Sequence, residues 1–166
     1  MMMHDLGGRF DSPTVNLWMS TKDFIYLVKN IKELSKMDIL EITPSKKCDY
    51  PIGMLGECKL HFLHYKSFRE ANECWIRRMK RLDVNNMSII MVAEKLSKSE
   101  MESFINLKVK KKVVLIRSEV INNPFTFKIN YPTNKKDFKI TDYSDLIGHR
   151  YYDQFNFLNF FTQIKQ

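Results

Sequence analysis

The feature that most constrains the fold is the order of elements between residues 57 and 117. Three short runs rich in apolar residues, "ECKLHFLHY", "NMSIIMVA" and "KKVVLIR", are separated by two segments with helical periodicity. Apolar strands that alternate with amphipathic helices are typical of a parallel sheet with helices on both faces. The pattern therefore predicts an α/β protein, a three-layer α/β/α domain built around a mainly parallel sheet.

The flanking segments add less regular elements. "SPTVNLW" predicts a short strand, and "STKDFIYLVKNIKEL" predicts a helix behind a Ser20 or Thr21 cap. "DILEIT" and "FTFKINY" are predicted to be extended, "PSKKCDYPIG" to be a loop and "DYSDLIG" to be a short helix. A last helix is predicted from about Asp153, with a buried face of Tyr151, Phe155, Leu158 and Phe161 or Thr162. The 166 residues fit one domain, residues 1–166.

The best-marked helix begins after Ser67, which forms an S-x-x-E capping box with Glu70. Apolar residues at helical spacing predict its buried stripe: Phe68, Ala71, Trp75, Met79 and Leu82. Four cations crowd its end, where positive charge meets the negative end of the helix dipole: Arg77, Arg78, Lys80 and Arg81. Two interpretations stay open, a solvated charged face or a site for a phosphate or carboxylate, because capping alone needs fewer cations.

The charge balance favours an anionic partner. Lys and Arg number 27 against 19 Asp and Glu, so the formal net charge is +8. Nucleic acid, an anionic membrane surface, a sugar nucleotide or a charged glycan would all be attracted. The aromatic and glycine pattern of an RNA-recognition sheet is missing, so we do not expect nucleic acid to be the partner.

Several classes of site lack their sequence signals. There is no GxGxxG motif, P-loop or G-x-S-x-G elbow, so we expect no bound cofactor. His61 and His64 would point to opposite faces of a strand, so we expect no metal site. The three cysteines form no CxxC pair, which favours a reducing cytoplasm, and the apolar runs are too short to span a membrane.

Ligands of parallel α/β sheets collect beyond the carboxyl ends of the strands. That rule places His64, Tyr65, the loop after Val92 and Arg117 near a candidate site. His64 is the best candidate for acid/base chemistry, because it ends a predicted strand just before the basic helix. The alternative interpretation is a histidine that is hydrogen-bonded at a strand-to-helix corner.

Three blocks of the sequence carry a family resemblance: "HDLGGRFDSPTVNLWMSTKDFIYLVKN", "CDYPIGMLGECKLHFLHYKSFREANECWIRRMKRLDVNN" and "DLIGHRYYDQFNF". They resemble, in order, a bacterial family of unknown function whose members are often labelled exopolysaccharide or capsule biosynthesis proteins. The resemblance implies a transferase that acts on a sugar or glycan precursor. It implies His64 as the catalytic residue and, as substrate-binding residues, Asp11, Ser12, Tyr65, Arg77, Arg78, Arg81 and Asn85.

Two departures from the family bear on activity. Members usually begin with a further strand that ends in Asn-Asn-Cys-Trp-Gly-Gly, whereas this chain starts at "MMMHDLGG". After "NMSIIMVA" they show an Asp-Arg-Asp-Gly-like loop, where this chain has "EKLSKSE". The departures predict a copy that is truncated at its amino end, lacks its first strand and is weakened or inactive. The alternative function is then a non-catalytic binding or scaffolding module of a polysaccharide assembly complex.

Overall fold

The computed structural model describes residues 12–43, 48–117 and 123–162, which form a mixture of helices and strands. The α-helices are α1 (Thr21–Lys29), α2 (Ile31–Leu34), α3 (Phe68–Met79), α4 (Lys98–Ile105) and α5 (Phe157–Thr162), and a 3₁₀ helix covers Tyr151–Gln154. The strands are β1 (Leu40–Ile42), β2 (Ile52–Leu55), β3 (Cys58–His61), β4 (Ser88–Ala93), β5 (Lys111–Ile116) and β6 (Thr126–Lys128). The predicted α/β composition is confirmed.

The described strands form two sheets, where the sequence predicted one. Strands β4, β5 and β6 form a parallel sheet in that order, and β4 pairs with β5 along its whole length. The last four residues of β5, Val113, Val114, Leu115 and Ile116, are buried. This agrees with the prediction that apolar runs joined by a helix build parallel strands. The three-layer arrangement stays a prediction.

Strand β3 does not join the parallel sheet, so the predicted five-element alternation is wrong at its first strand. It pairs antiparallel with β2, which pairs with β1. A two-residue turn at Gly56 and Glu57 joins β2 to β3, and Gly56 has φ +58°. Glycine takes this left-handed conformation without strain, and tight hairpins require it. The segment predicted to be a loop, "PSKKCDYPIG", therefore runs into the first two residues of β2, and the "GE" dipeptide that follows β2 was the missed hairpin signal.

Three apolar cores tie these elements together. One lies between the antiparallel sheet and α3, where Leu60, Phe62 and Trp75 are buried. The second packs α1 and α4 on one face of the parallel sheet, and the third packs aromatic residues of the C-terminal segment on the other face. The predicted stripe on α3 is confirmed, because Ala71, Trp75 and Met79 are buried.

Three local predictions are wrong. "SPTVNLW" forms a turn with Asn16 at φ 61°, followed by an isolated bridge between Trp18 and His61. The last α-helix begins at Phe157, after the 3₁₀ helix, so its phase differs and Leu158 is 60% exposed. "DYSDLIG" is not helical, and it lies in a hairpin-like loop that is closed by a bridge between Tyr143 and Arg150.

This loop, residues 143–150, is named the 143–150 hairpin below. Asp145 Oδ1 accepts hydrogen bonds from the backbone amides of Ile147, Gly148 and His149, each at 3.0 Å. Its Oδ2 lies 2.6 Å from Nδ1 of the His149 ring. A carboxylate that bonds to amides just after it in the chain competes with helix formation, which explains the failed helix prediction.

The contact between Asp145 and His149 predicts a shifted titration. The hydrogen bond from Asp145, and then its charge, raises the pKa of His149, while the hydrogen bond from His149 lowers the pKa of Asp145. The histidine contribution to loop stability is lost as pH rises through its raised pKa, and the aspartate contribution is lost as pH falls through its lowered pKa. We expect an NMR titration of the His149 ring to have a midpoint above that of an ordinary histidine. If the His149 midpoint in Asp145→Asn equals that of the wild type, this account is contradicted.

Candidate functional site

The predicted catalytic residue, His64, lies exposed in the turn that follows β3. Its neighbour Tyr65 is half-buried, with its ring edge-on to Phe62 at 5.9 Å. Burial, and then a hydrogen bond with Cys74, raises the pKa of the Tyr65 hydroxyl, so this group is a neutral phenol near neutral pH. The two residues are adjacent in sequence but lie in different environments.

Arg78 has a structural role that the sequence did not reveal. Its Nη1 donates to the backbone oxygen of Val15 at 2.8 Å and to the Tyr65 hydroxyl at 3.0 Å. These bonds connect α3 to the turn at residues 13–16 and to the end of the antiparallel sheet. Arg77, by contrast, is exposed and donates to Cys74 Sγ at 3.2 Å. The basic end of α3 therefore contains cations with different roles.

A cavity of about 620 Å³ lies beside α1 and the first residues of β4. Its apolar and aromatic lining comes from the turn at residues 13–16, from α1 and the start of α2, from the segment that enters β4 and from the C-terminal segment. It comprises Pro13, Val15, Phe24, Leu27, Val28, Ile31, Leu82, Met87, Ile89, Ile90, Tyr152 and Phe161. Polar side chains join this lining: Ser12, Thr14, Arg81, Asp83, Asn86, Ser88 and Thr141. The cavity is therefore mostly apolar, with one guanidinium, one carboxylate, one side-chain amide and several hydroxyl groups.

The cavity lies away from the carboxyl strand ends, where the sequence placed a candidate site. It lies at the amino end of β4, because Ser88 and Ile89 are the first residues of that strand. At the carboxyl end of β5, Arg117 Nη1 pairs with Glu94 at 3.0 Å, and its Nη2 donates to three backbone oxygens. Arg117 thus fastens the loop at residues 132–135, and its role there is structural.

Only some of the residues predicted to bind substrate lie together at the cavity. Ser12 and Arg81 line the cavity, whereas His64, Tyr65, Arg77, Arg78 and Asn85 do not. Asn85 lies one position from the lining residue Asn86, and its backbone amide donates to Asp83 Oδ1 at 3.0 Å. Asp11 lies outside the described residues. The run "LDVNNMS" contributes several lining residues and was the sequence signal that could have located the cavity. Hydrophobic periodicity, however, does not give side-chain directions in a loop.

His61 lies in an aromatic cluster apart from the cavity. Its ring is edge-on to Trp18 at 4.8 Å and to Tyr50 at 5.8 Å. Burial, and then the charge of Lys59, lowers the pKa of His61, so its ring is neutral near neutral pH. Within the described residues its Nδ1 is buried without a hydrogen-bond partner. This ring therefore packs the end of β3 against the segments that carry Trp18 and Tyr50.

The described part of the chain has neither a metal-binding cluster nor a membrane-spanning helix. No group of three or more His, Cys, Asp or Glu side chains there converges to hold a metal ion. None of its helices is both long and apolar enough to cross a membrane.

The fold and the cavity define a small α/β protein with a ligand-sized, mostly apolar cavity at a strand start. The chain belongs to the family described as Domain of unknown function (DUF1919), whose profile matches residues 1–162. An uncharacterized protein of Haemophilus influenzae is 30% identical over 163 residues, which cover 97% of this chain and 78% of that protein. The resemblance to a family of unknown function is confirmed. The link to capsule or exopolysaccharide and the truncated amino end stay predictions.

Proposed function

We propose that the protein binds an anionic sugar or glycan precursor that carries an apolar group, and that it works in capsule or exopolysaccharide biosynthesis. The observation that carries the binding part is the cavity of about 620 Å³ with Arg81 in its lining. The family resemblance supplies the link to polysaccharides. Cys58 and Cys74 are buried thiols outside any disulfide, which supports a reducing compartment such as the cytoplasm as the place of action.

The physical argument for the ligand rests on the two kinds of lining. Small-molecule sites usually enclose about 300–1,000 Å³, are mostly apolar and hold a few placed polar groups. Burial of apolar ligand surface contributes roughly 25 cal/mol per Å². A guanidinium binds phosphate or carboxylate through charge-assisted hydrogen bonds. Arg81 can therefore hold the anionic group while Val28 and Ile90 contact the apolar part.

Sugar transfer has less support from the geometry than binding. His64, the predicted proton-transfer residue, is not part of the cavity lining. The cavity therefore favours the binding or scaffolding function that the sequence left as the alternative. Transferase chemistry stays a prediction that rests on the family resemblance.

The proposal is tested by calorimetric titration with three probes that separate the two parts of the ligand. Decyl phosphate has both parts, decyl β-glucoside has the apolar part and a neutral sugar, and glucose 1-phosphate has only the polar part. We expect decyl phosphate, below its micelle-forming concentration, to bind about tenfold more tightly than either of the others. Arg81→Gln should remove the advantage of decyl phosphate over decyl β-glucoside and leave the affinity for decyl β-glucoside unchanged.

The matched control is Arg77→Gln, since Arg77 is a nearby arginine, within α3, that does not line the cavity. It should bind all three probes like the wild type. Equal affinity for glucose 1-phosphate and decyl phosphate, or no binding of any probe, would contradict the proposed ligand.

A further inference from the structure

The tip of the 143–150 hairpin carries two aliphatic side chains in water. Leu146 is 106% exposed and Ile147 is 86% exposed, more than any other large apolar side chain of the described residues. Single exposed apolar residues are common on protein surfaces, whereas a contiguous exposed apolar patch marks a contact with a protein or a membrane. A partner for this tip would be apolar and within reach of a loop.

The hairpin holds these side chains outward by a dense set of hydrogen bonds. The Asp145 carboxylate bonds to three backbone amides and to the His149 ring. The backbone amide and the hydroxyl of Ser144 both donate to the His149 carbonyl, at 2.7 and 3.0 Å. Gly148, at φ +100°, supplies the reversal of the chain. The tip is therefore preorganised, so its insertion into a partner would cost little conformational entropy.

The side chains behind the tip follow the order found at a lipid interface. Tyr143 is 60% exposed, and the Arg150 guanidinium lies 5.0 Å from the centre of its ring. Aliphatic groups suit the acyl boundary, while tyrosine and arginine suit the headgroup level. Two nearby carboxylates have partners within the protein. Asp142 pairs with Lys135 at 3.8 Å, and Asp153 accepts a hydrogen bond from the Arg150 backbone amide at 2.7 Å. The net charge of +8 adds attraction to anionic lipid.

The hairpin also adjoins the cavity. Thr141 and Tyr152 flank it in sequence, and both line the cavity. A surface that receives Leu146 and Ile147 is thus brought toward the cavity wall. Direct contact between the cavity and a lipid surface would shorten the path of any amphipathic ligand, although the docking argument stands without such a ligand.

We propose that the 143–150 hairpin is a membrane-docking loop, which inserts Leu146 and Ile147 into the headgroup region of an anionic phospholipid bilayer. The protein lies on the bilayer surface, with Tyr143 and Arg150 at the level of the headgroups. The aliphatic tip contributes insertion and the net positive charge contributes long-range attraction. This inference does not depend on the ligand proposed for the cavity.

Co-sedimentation with vesicles of phosphatidylcholine and phosphatidylglycerol tests the proposal. We expect the wild-type protein to sediment with the vesicles. The double variant Leu146→Ser, Ile147→Ser should lower the partition coefficient about tenfold or more, because two aliphatic side chains are lost from the interface. Leu158→Ser is the matched control, since Leu158 is also exposed, at 60%, but lies on α5. It should sediment like the wild type.

A second measurement places the tip directly. A Leu146→Trp variant should show a blue shift of its added fluorescence on mixing with the same vesicles, because the indole leaves water. The absence of that shift, or equal sedimentation of the wild type and the double-serine variant, would overturn the proposal. A wild-type dimer that becomes a monomer in the double variant, with no vesicle binding by either, would also overturn it and assign the tip to contact between copies.

Discussion

Replacement of Ser88 by tryptophan is expected to abolish the binding of decyl phosphate while the protein stays folded. Ser88 is the half-buried first residue of β4 and lines the cavity. An indole buries about 150–250 Å² when it is enclosed, so it would occupy space that an apolar ligand needs. We expect affinity to fall by at least about 30-fold, a change of roughly 2 kcal/mol. Calorimetric titration measures the affinity, and thermal melting reports the fold.

Ser88→Ala is the matched control, because it removes the hydroxyl without filling the cavity. It should bind decyl phosphate with nearly wild-type affinity, within a factor of about three. Full binding by Ser88→Trp would show that the ligand lies elsewhere. A loss of binding in Ser88→Ala would instead assign the effect to the hydroxyl and contradict the steric argument.

Arg78→Met is expected to destabilise the protein by about 2 kcal/mol, because a hydrogen bond to a charged group contributes roughly 1.5–3 kcal/mol and two acceptors lose their donor. Those acceptors are the backbone oxygen of Val15 and the hydroxyl of Tyr65. For a chain of this size the melting temperature should fall by about 4–8 °C. Chemical denaturation gives the free energy of unfolding.

Arg77→Met supplies the comparison for Arg78→Met. It removes an equal charge one residue earlier, from an exposed side chain whose contact is Cys74 Sγ. Its effect on the free energy of unfolding should stay within about 0.5 kcal/mol. Equal effects of the two variants would mean that the loss of positive charge, and not the two hydrogen bonds of Arg78, determines stability.

The elements that follow from local pattern were predictable from the sequence. The run "SIIMVA" and the run "KKVVLI" become the paired parallel strands β4 and β5, because continuous apolar residues suit a strand covered on both faces. Ser67 begins α3 as predicted, accepting a hydrogen bond from the Glu70 amide at 3.2 Å. The helical spacing of apolar residues also predicted that Trp75 is in the core, and it is buried.

What the sequence could not supply depends on contacts between distant residues. Arg78 and Val15 are 63 positions apart, so no local pattern distinguishes this structural cation from Arg77 or Arg81. The cavity likewise forms where α1, the start of β4 and the C-terminal segment meet. The rule that ligands collect at carboxyl strand ends pointed to Arg117, which fastens a loop there. The cavity lies at the opposite, amino end of β4, and only the assembled fold creates it.

The assignment of β3 failed for a related reason. Cys58 and Leu60 alternate along the strand and are buried, but alternation does not encode which strand is the pairing partner. The turn at Gly56 fixed the pairing with β2 instead. The position of His64 changed with it, from the edge of a parallel sheet to an exposed turn after a hairpin.

Methyl NMR during a decyl phosphate titration tests the central claim most directly, because it locates the ligand. The claim predicts shifts of the methyl signals of Val28 and Ile90, which line the cavity, and no shift of Leu63, which adjoins His64 in the turn after β3. Shifts at Leu63 with unchanged signals from Val28 and Ile90 would contradict it and return the site to the end of β3.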